Sequence, residues 1–327
     1  MKTVSPSLVL LVLCLLAVGC QPARLVQREP YRGQVLRINL QRELGYAPLL
    51  LMQRQRRVEQ RVPGAVVEWK SIQTSEAVAE ALSTGTLDIG VGSIASFLLA
   101  RERGLPVRIL AGISELPLGL TTNRLDARTL HDLGPRDRIA VPMLGGQEHT
   151  VLRMAALREL GDWRALDPLV VQRAHLDAFG ALMNRRALTA HVAVSPYLER
   201  ELESPDVRRL LDGVAVMGGP AMSVVAFTTP TVRARQSALI GVFLDALRES
   251  SESAVGDVVQ ATDLLADLDG AGLTTADLRR YLDRPGLTFS MEVRGLSRLA
   301  TFMRYTGQLT SVQATWDDLA FADATGS

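Results

Sequence analysis

The sequence predicts an α/β protein of two lobes, each a mostly parallel sheet flanked by helices, and three observations carry that reading. Short apolar runs alternate with helical patterns from Val35 to Ile113. The alternation begins again at Ile139 and continues to Phe227, and the chain then closes on several successive helices. Repeated β-α-β units need crossovers that cover the sheet, so they imply parallel strands with helices on both faces.

In the first series, Val35 to Leu40 reads as a strand, and Pro48 suits the first turn of a helix running to about Val58. Val66 to Trp69 is a second strand. A helix follows, with Thr74 or Ser75 as its cap and Val78, Ala81 and Leu82 at the spacing of a buried stripe; Gly85 sits where a left-handed end residue belongs. Leu87 to Val91 is a third strand, Ile94 to Arg103 a helix ended by Gly104, and Val107 to Ile113 a fourth strand.

The second series follows a loop around Asn123 to Arg138. Ile139 to Val141, Leu169 to Gln172 and His191 to Val194 read as strands, separated by helices at Gln147 to Leu160 and Leu176 to Asn184. Ser195 is placed to cap a helix that has Pro196 in its first position. After Gly218-Gly219-Pro220 comes one more strand, Met222 to Phe227. Helices are expected at Val232 to Glu249, Ala254 to Asp267, Ala276 to Tyr281 and Leu296 to Tyr305.

In folds of this kind ligands sit outside the carboxyl ends of strands, where helix starts offer free backbone N–H groups. Four loops put glycine or a hydroxyl there: Gly45-Tyr46, Gly92-Ser93, Gly145-Gly146-Gln147 followed by His149, and Ser195-Pro196. Each also serves as an ordinary cap or turn, so it is their convergence that would make a site. Such loops suit an anion without needing a lysine. Of the four histidines, His149 is placed near the ligand, His131 and His175 at the surface or in capping positions, and His191 in the core.

Catalytic patterns are thin. There is no G-x-S-x-G, no H-E-x-x-H and no Gly-Lys-Ser/Thr loop. Gly90-Val91-Gly92-Ser93-Ile94-Ala95, with Glu115 further on, imitates a dinucleotide fingerprint and keeps an enzyme as an alternative. No cofactor and no metal site are expected. The formal charge of +1 gives no electrostatic case for nucleic acid or an anionic surface.

The first twenty residues bear on location. Lys2, an apolar run from Leu8 to Val18 and a terminal Cys20 read as an export leader whose h-region is too short to span a bilayer. Leu16-Ala17-Val18-Gly19-Cys20 resembles a lipobox, which would make Cys20 a lipidated N-terminus and residues 21–33 a polar tether. Ala17-x-Gly19 also fits ordinary cleavage to a soluble protein. Cys14 and Cys20 are the only cysteines, so no disulfide is expected in the mature chain.

Several runs together resemble one family: GYAPLLLMQ, VEWKSIQTSEAVAEALSTGTLDIGVGSIASFLLARERGLPVRILAGIS, IAVPMLGGQEHTVLRMAALRELG, AHVAVSPYLERELESPDVRRLLD, GGPA and RLATFMRYTGQLTSVQATWDDLAF. The chain is thereby similar to the substrate-binding proteins of ABC importers for nitrate, sulfonates, taurine and thiamine pyrimidine precursors. The resemblance implies a type II periplasmic binding protein: residues 34–115 and 223–327 as the first lobe, 116–222 as the second, with Leu116 to Thr122 and Ser223 to Thr229 lining a hinge. It implies ligand contacts from Gly45, Tyr46, Gly92, Ser93, Gly145, Gly146, Gln147, His149 and Ser195, and a permease with its ATPase as partners of a monomer held at a bacterial membrane, in the periplasm or at the cell surface. Gly45-Tyr46-Ala47 departs from the Asn-Tyr-x-Pro-like run of several relatives, and Gln313-Ala314-Thr315-Trp316 from their usual Pro-Ala-Ser-Trp. The expected ligand is a small organic anion of the sulfonate, taurine or nitrate type; a neutral pyrimidine-like ligand and a sensor without transport are the alternatives.

Overall fold

The computed structural model describes residues 34–265, 273–283, 286–312 and 315–326. The leader, Cys20 and the tether lie outside them.

The first sheet holds β1 (Val35–Asn39), β2 (Val66–Lys70), β3 (Gly90–Gly92) and β4 (Arg108–Ser114) in one direction. β1 pairs with β2 in parallel and reaches β3 through a single parallel bridge, Ile38 to Ile89. The second sheet starts with β5 (Leu118–Thr122) and continues with β6 (Ile139–Val141), β7 (Val170–Gln172), β8 (Ala190–Val194) and β9 (Arg208–Asp212), in spatial order β7-β6-β8-β5-β9. The last strand, β10 (Val224–Thr228), returns to the first sheet between β3 and β4.

In each sheet four strands share a direction and one opposes them: β10 in the first and β5 in the second. Both reversed strands follow directly on a crossover between the sheets, which is why they run against strands connected by helices. The segments expected to line a hinge therefore mostly belong to the sheets. The crossovers themselves meet around Ser223, whose N–H donates to the Ser114 carbonyl at 2.7 Å and whose hydroxyl accepts from the Leu116 N–H at 2.9 Å.

Helices connect the strands. α1 (Ala47–Arg54) ends sooner than its apolar pattern suggests, because the chain turns at Arg56, φ 50°, before α2 (Arg57–Arg61). That turn lets the Arg57 guanidinium reach Gln55, Ser253 and Glu249. α3 (Ser75–Ser83) and α4 (Ile94–Glu102) begin at the caps read from sequence: Thr74 Oγ1 accepts from the Ala77 N–H and Ser93 Oγ from the Ser96 N–H. In the second lobe, α5 (Gln147–Leu160) ends at left-handed Gly161, and α6 (His175–Met183), α7 (Tyr197–Leu202) and α8 (Gly213–Met217) follow. The tail comprises α9 (Pro230–Arg235), α10 (Ser237–Gly256), α11 (Val258–Leu265), α12 (Thr275–Leu282), α13 (Leu296–Tyr305) and α14 (Trp316–Leu319).

Two large cores result. One gathers β1, α1, α10 and β10 around Ile38, Leu49, Phe243 and Ala226. The other passes from Phe97 and Phe227 in the first lobe through Leu299 and Met303 of α13 to Ile139 and Val151 in the second. α13 packs on α4 and on α5 at once, so the tail couples the lobes as well as completing the first.

Candidate ligand-binding site

The carboxyl ends of β1, β2 and β3 face those of β6, β7 and β8 across a cleft of about 1030 Å³. Its two walls come from different lobes.

On the first wall, α3 and α4 start side by side. Ser75 Oγ lies 2.7 Å from Ser96 Oγ, which lies 2.9 Å from Ser93 Oγ. Three hydroxyls and two helix starts thus meet at one place, the arrangement that holds negative charge through oriented N–H and O–H donors. Arg103 also lines this wall, with its charge answered by Glu76 at 2.8 Å.

The second wall is built differently. Glu148 lies in the first turn of α5, and its largely buried carboxyl is pushed up to about 7, by desolvation first and by the nearby Glu43 charge in addition. Glu43, after β1, faces it; its side chain is open to the water of the cleft, and the depth of protein around it raises its pKa. His175 Nε2 stands 3.9 Å from Glu148 Oε1, and its ring stacks on Tyr197 with centroids 5.7 Å apart. Burial holds His175 well below its usual pKa, and raises Tyr46 and Tyr197, the latter to about 12.

His175 is backed by a buried chain. Its Nδ1 lies 2.9 Å from His191 Nε2; His191 Nδ1 lies 2.6 Å from Glu201 Oε1, and the Thr121 hydroxyl donates to Glu201 Oε2 at 2.6 Å. His191 and Glu201 are both 0% exposed. One proton lies in each of the two links, so the chain fixes the plane of the His175 ring and leaves its Nε2 at the cleft.

Of the residues marked from sequence, Tyr46, Gly92 and Ser93 line the cleft; Gly45, Gly145, Gly146, Gln147, His149 and Ser195 do not. Gly45 is packed against the crossovers, where a Cβ would lie 3.1 Å from Leu116 and Val224 side-chain atoms. Gly145, φ 74°, and Gly146 form the turn before α5, held by Gln308 Nε2 on the Gly145 carbonyl. Gln147 Nε2 donates to the Met222 carbonyl at 3.2 Å. His149 turns back on its own loop: Nδ1 accepts from the Gly145 N–H at 2.9 Å, and Nε2 meets Asp167 at 3.0 Å. Burial, then Arg153, lowers its pKa.

Ser195 is not a helix cap. α7 starts at Tyr197, and the Ser195 hydroxyl donates to Glu199 Oε1 at 2.6 Å inside the lobe. His175, expected at the surface or in a capping position, is the first residue of α6 and the histidine that reaches the cleft. Glu43, Glu148, Ser75, Ser96 and Tyr197 were not marked as ligand contacts; a carboxylate in a helix's first turn is so common a feature of helix starts that Glu148 gave no signal.

The Gly90-x-Gly92 pattern has a packing cause. A Cβ on Gly90 would lie 2.6 Å from the Phe227 ring of β10, while Gly92 is open on the cleft. Glu115 is buried at the crossover, beside Arg294.

No family model and no curated protein matches the chain. Solved structures do. The chain is similar to the periplasmic aliphatic sulphonate binding protein SsuA from Escherichia coli, at 19% identity and TM-score 0.70, with 89% of this chain and 93% of that one covered. It has the periplasmic binding protein fold. The nitrate-binding protein NrtA from Synechocystis PCC 6803 shares that fold at 12% identity and TM-score 0.68, over 90% and 86% of the two chains. So does the ligand binding component of an ABC-type import system from Staphylococcus aureus, solved with zinc bound, at 14% and 0.68 over 88% and 96%. Among the described residues of the present chain, no group of three His, Cys, Asp or Glu is placed to hold a metal ion, and no helix is long and apolar enough to cross a membrane.

Proposed function

We propose that this protein is the extracytoplasmic solute-binding component of an ABC importer, capturing a small organic anion between its lobes and delivering it to a membrane permease driven by an ATPase. It acts as a monomeric binding protein with no chemical step. The observation that carries the anion reading is the meeting of two helix starts at Ser75, Ser93 and Ser96 on the cleft wall.

Calorimetry with alkanesulfonates, nitrate, carboxylates and pyrimidines tests it. Ser93→Ala or Ser96→Ala weakens anion binding by roughly 1–3 kcal/mol, the range of a charge-assisted hydrogen bond. Ser195→Ala leaves affinity unchanged. Binding of neutral pyrimidines alone, or full anion affinity in both cleft variants, removes the anion reading. Tyr46 and Tyr197 in the lining favour an aromatic ligand as the second reading.

Cys20 is proposed as the lipid anchor in the periplasm or at the cell surface. Cys20→Ala loses lipid mass and membrane association; a wild-type protein that starts at Cys20 without lipid overturns this.

A further inference from the structure

We propose that Gln308 is a positioning residue for ligand capture: from a strap pinned to the first lobe, its side-chain amide holds the turn of residues 143–146 in the second lobe against Ser75, and so sets how fast a bound ligand leaves. The proposal rests on the reading above for what the cleft holds.

The turn follows β6 and leads into α5. It is closed by the Gly146 N–H on the Met143 carbonyl at 3.0 Å, and it puts Met143 and Leu144 on the cleft lining. The first lobe touches it twice. Ser75 Oγ, one of the three hydroxyls of the opposite wall, stands 3.8 Å from Met143 Sδ. Gln308 Nε2, from the tail, donates to the Gly145 carbonyl, and a Cβ on Gly145 would lie 2.8 Å from that nitrogen. The amide fits because residue 145 has no side chain. The turn thus stands at contact distance from the serine wall, and Gln308, itself on the cleft lining, holds it there.

The strap, residues 306–312 after α13, is fastened unequally at its two ends. Glu102, the last residue of α4, accepts from the N–H groups of Thr310, Ser311 and Val312 and from the hydroxyls of Thr310 and Ser311. These bonds, that of the Thr310 hydroxyl first, hold its carboxyl down to about 2, so the pin stays charged at neutral pH. Arg304 Nη1 ties the Val312 carbonyl back to α13 at 2.8 Å. At the other end Gln308 makes one neutral amide–carbonyl bond, and its own buried carboxamide oxygen makes none.

When the lobes part, a charged cluster at one end and a single neutral bond at the other keep the strap on the first lobe and break the Gln308 bond. One such bond changes an equilibrium constant roughly two- to tenfold, enough to bias a closing cleft and too little to lock it. Because the bond spans the lobes, it acts on the arrangement that encloses a ligand, and its effect falls on release.

Three variants of the full mature protein test this. Gln308→Met keeps the length and removes the amide, Gln308→Glu sets a carboxylate against the Gly145 carbonyl oxygen, and Glu102→Ala frees the strap at the end that does not touch the turn. Amide hydrogen exchange without ligand is expected to rise across residues 143–147 in all three, while β1 and β8 keep the wild-type rate. Stopped-flow fluorescence with propanesulfonate as the probe is expected to show roughly three- to tenfold faster dissociation from Gln308→Met, with association unchanged.

Exchange at the turn that stays at the wild-type rate in Gln308→Met, or that rises equally in β1 and β8, overturns the positioning role; a purely structural residue gives the second result. A turn that ignores Glu102→Ala overturns the strap. Wild-type dissociation from Gln308→Met, or a loss carried by slower association, overturns the link to release. A wild-type protein that takes up no propanesulfonate counts against the anion reading alone, and exchange at the turn then decides whether Gln308 holds it.

Discussion

The two walls of the cleft use the same device, a strand end running into a helix start, and present opposite chemistry. In the first lobe the residues at those starts are short: Ser75, Ser93 and Ser96 touch one another, and Ser93 Oγ accepts from the Ser96 N–H at 3.1 Å. In the second lobe they are long or aromatic: Glu148, His175 and Tyr197, in the first turns of α5, α6 and α7, put carboxyl, imidazole and phenol groups on the cleft lining. The same macrodipole lies behind both walls. What differs is the side chain each start presents, a short hydroxyl in one lobe and a carboxyl group or ring in the other. An α/β cleft is thus not an anion site by virtue of its fold, and each strand end has to be read for the atoms it exposes.

A second difference lies behind the walls. The first wall is held by local caps, while the second is tied by His175, His191, Glu201 and Thr121 to the centre of its sheet. The largest expected effect breaks that tie. His191→Leu strands a fully buried Glu201 carboxylate with Thr121 as its hydrogen-bonding neighbour, and lowers unfolding stability by about 3–5 kcal/mol. The double variant His191→Leu with Glu201→Leu recovers most of the loss, because both buried polar groups go together. Denaturant melts decide the matter; a loss under about 1 kcal/mol in the single variant shows that the wall does not depend on the chain.

A smaller effect sharpens the electrostatic side of the comparison. Glu148 is an acid whose folded pKa, about 7, exceeds its ordinary value of 4.5. Below the ordinary value it is protonated folded or unfolded and costs nothing. As pH rises between the two values the unfolded chain releases the proton first, so stability falls, and above about 7 the full cost is present. Glu148→Gln is therefore expected to match wild type at low pH and to be more stable at pH 8 by roughly 1–3 kcal/mol. Parallel pH–stability curves for the two proteins would place the Glu148 carboxyl in ordinary solvent and remove the contrast between the walls. The stability difference between Ser93→Ala and wild type carries no such pH dependence, since that residue does not titrate.

The helix starts were legible where their cause is local. Thr74 and Ser93 cap as their sequence neighbours require, α5 and α13 occupy the spans set by their apolar patterns, and Gly161 closes α5 in the left-handed conformation only glycine adopts freely. The same reasoning misplaced Ser195. Its hydroxyl finds Glu199 one turn on, and its N–H donates to the Pro117 carbonyl at 3.1 Å, one step beyond the Leu118–Val194 pair of β5 and β8, a partner that exists only once that sheet has formed. His149 and His175 show this most plainly. Both stand in the first turn of a second-lobe helix, and the choice between them was made by Asp167 and Gly145 for one and by His191 for the other.

By itself, the sequence determined the α/β class, the order of most elements and the locally capped helix starts, because caps, turns and hydrophobic period act over a few residues; β5, β9 and α8 were not among the elements it led us to expect. The tertiary structure alone decided that β5 and β10 run against their sheets, that Gly90 makes room for Phe227, and that α13 ties the lobes together. It also decided which polar atoms face the cleft. A polar side chain goes where its partner is, and His191 for His175, Asp167 for His149 and Met222 for Gln147 lie 16, 18 and 75 residues away in sequence, beyond the reach of any local rule; only Gly145, the second partner of His149, is near.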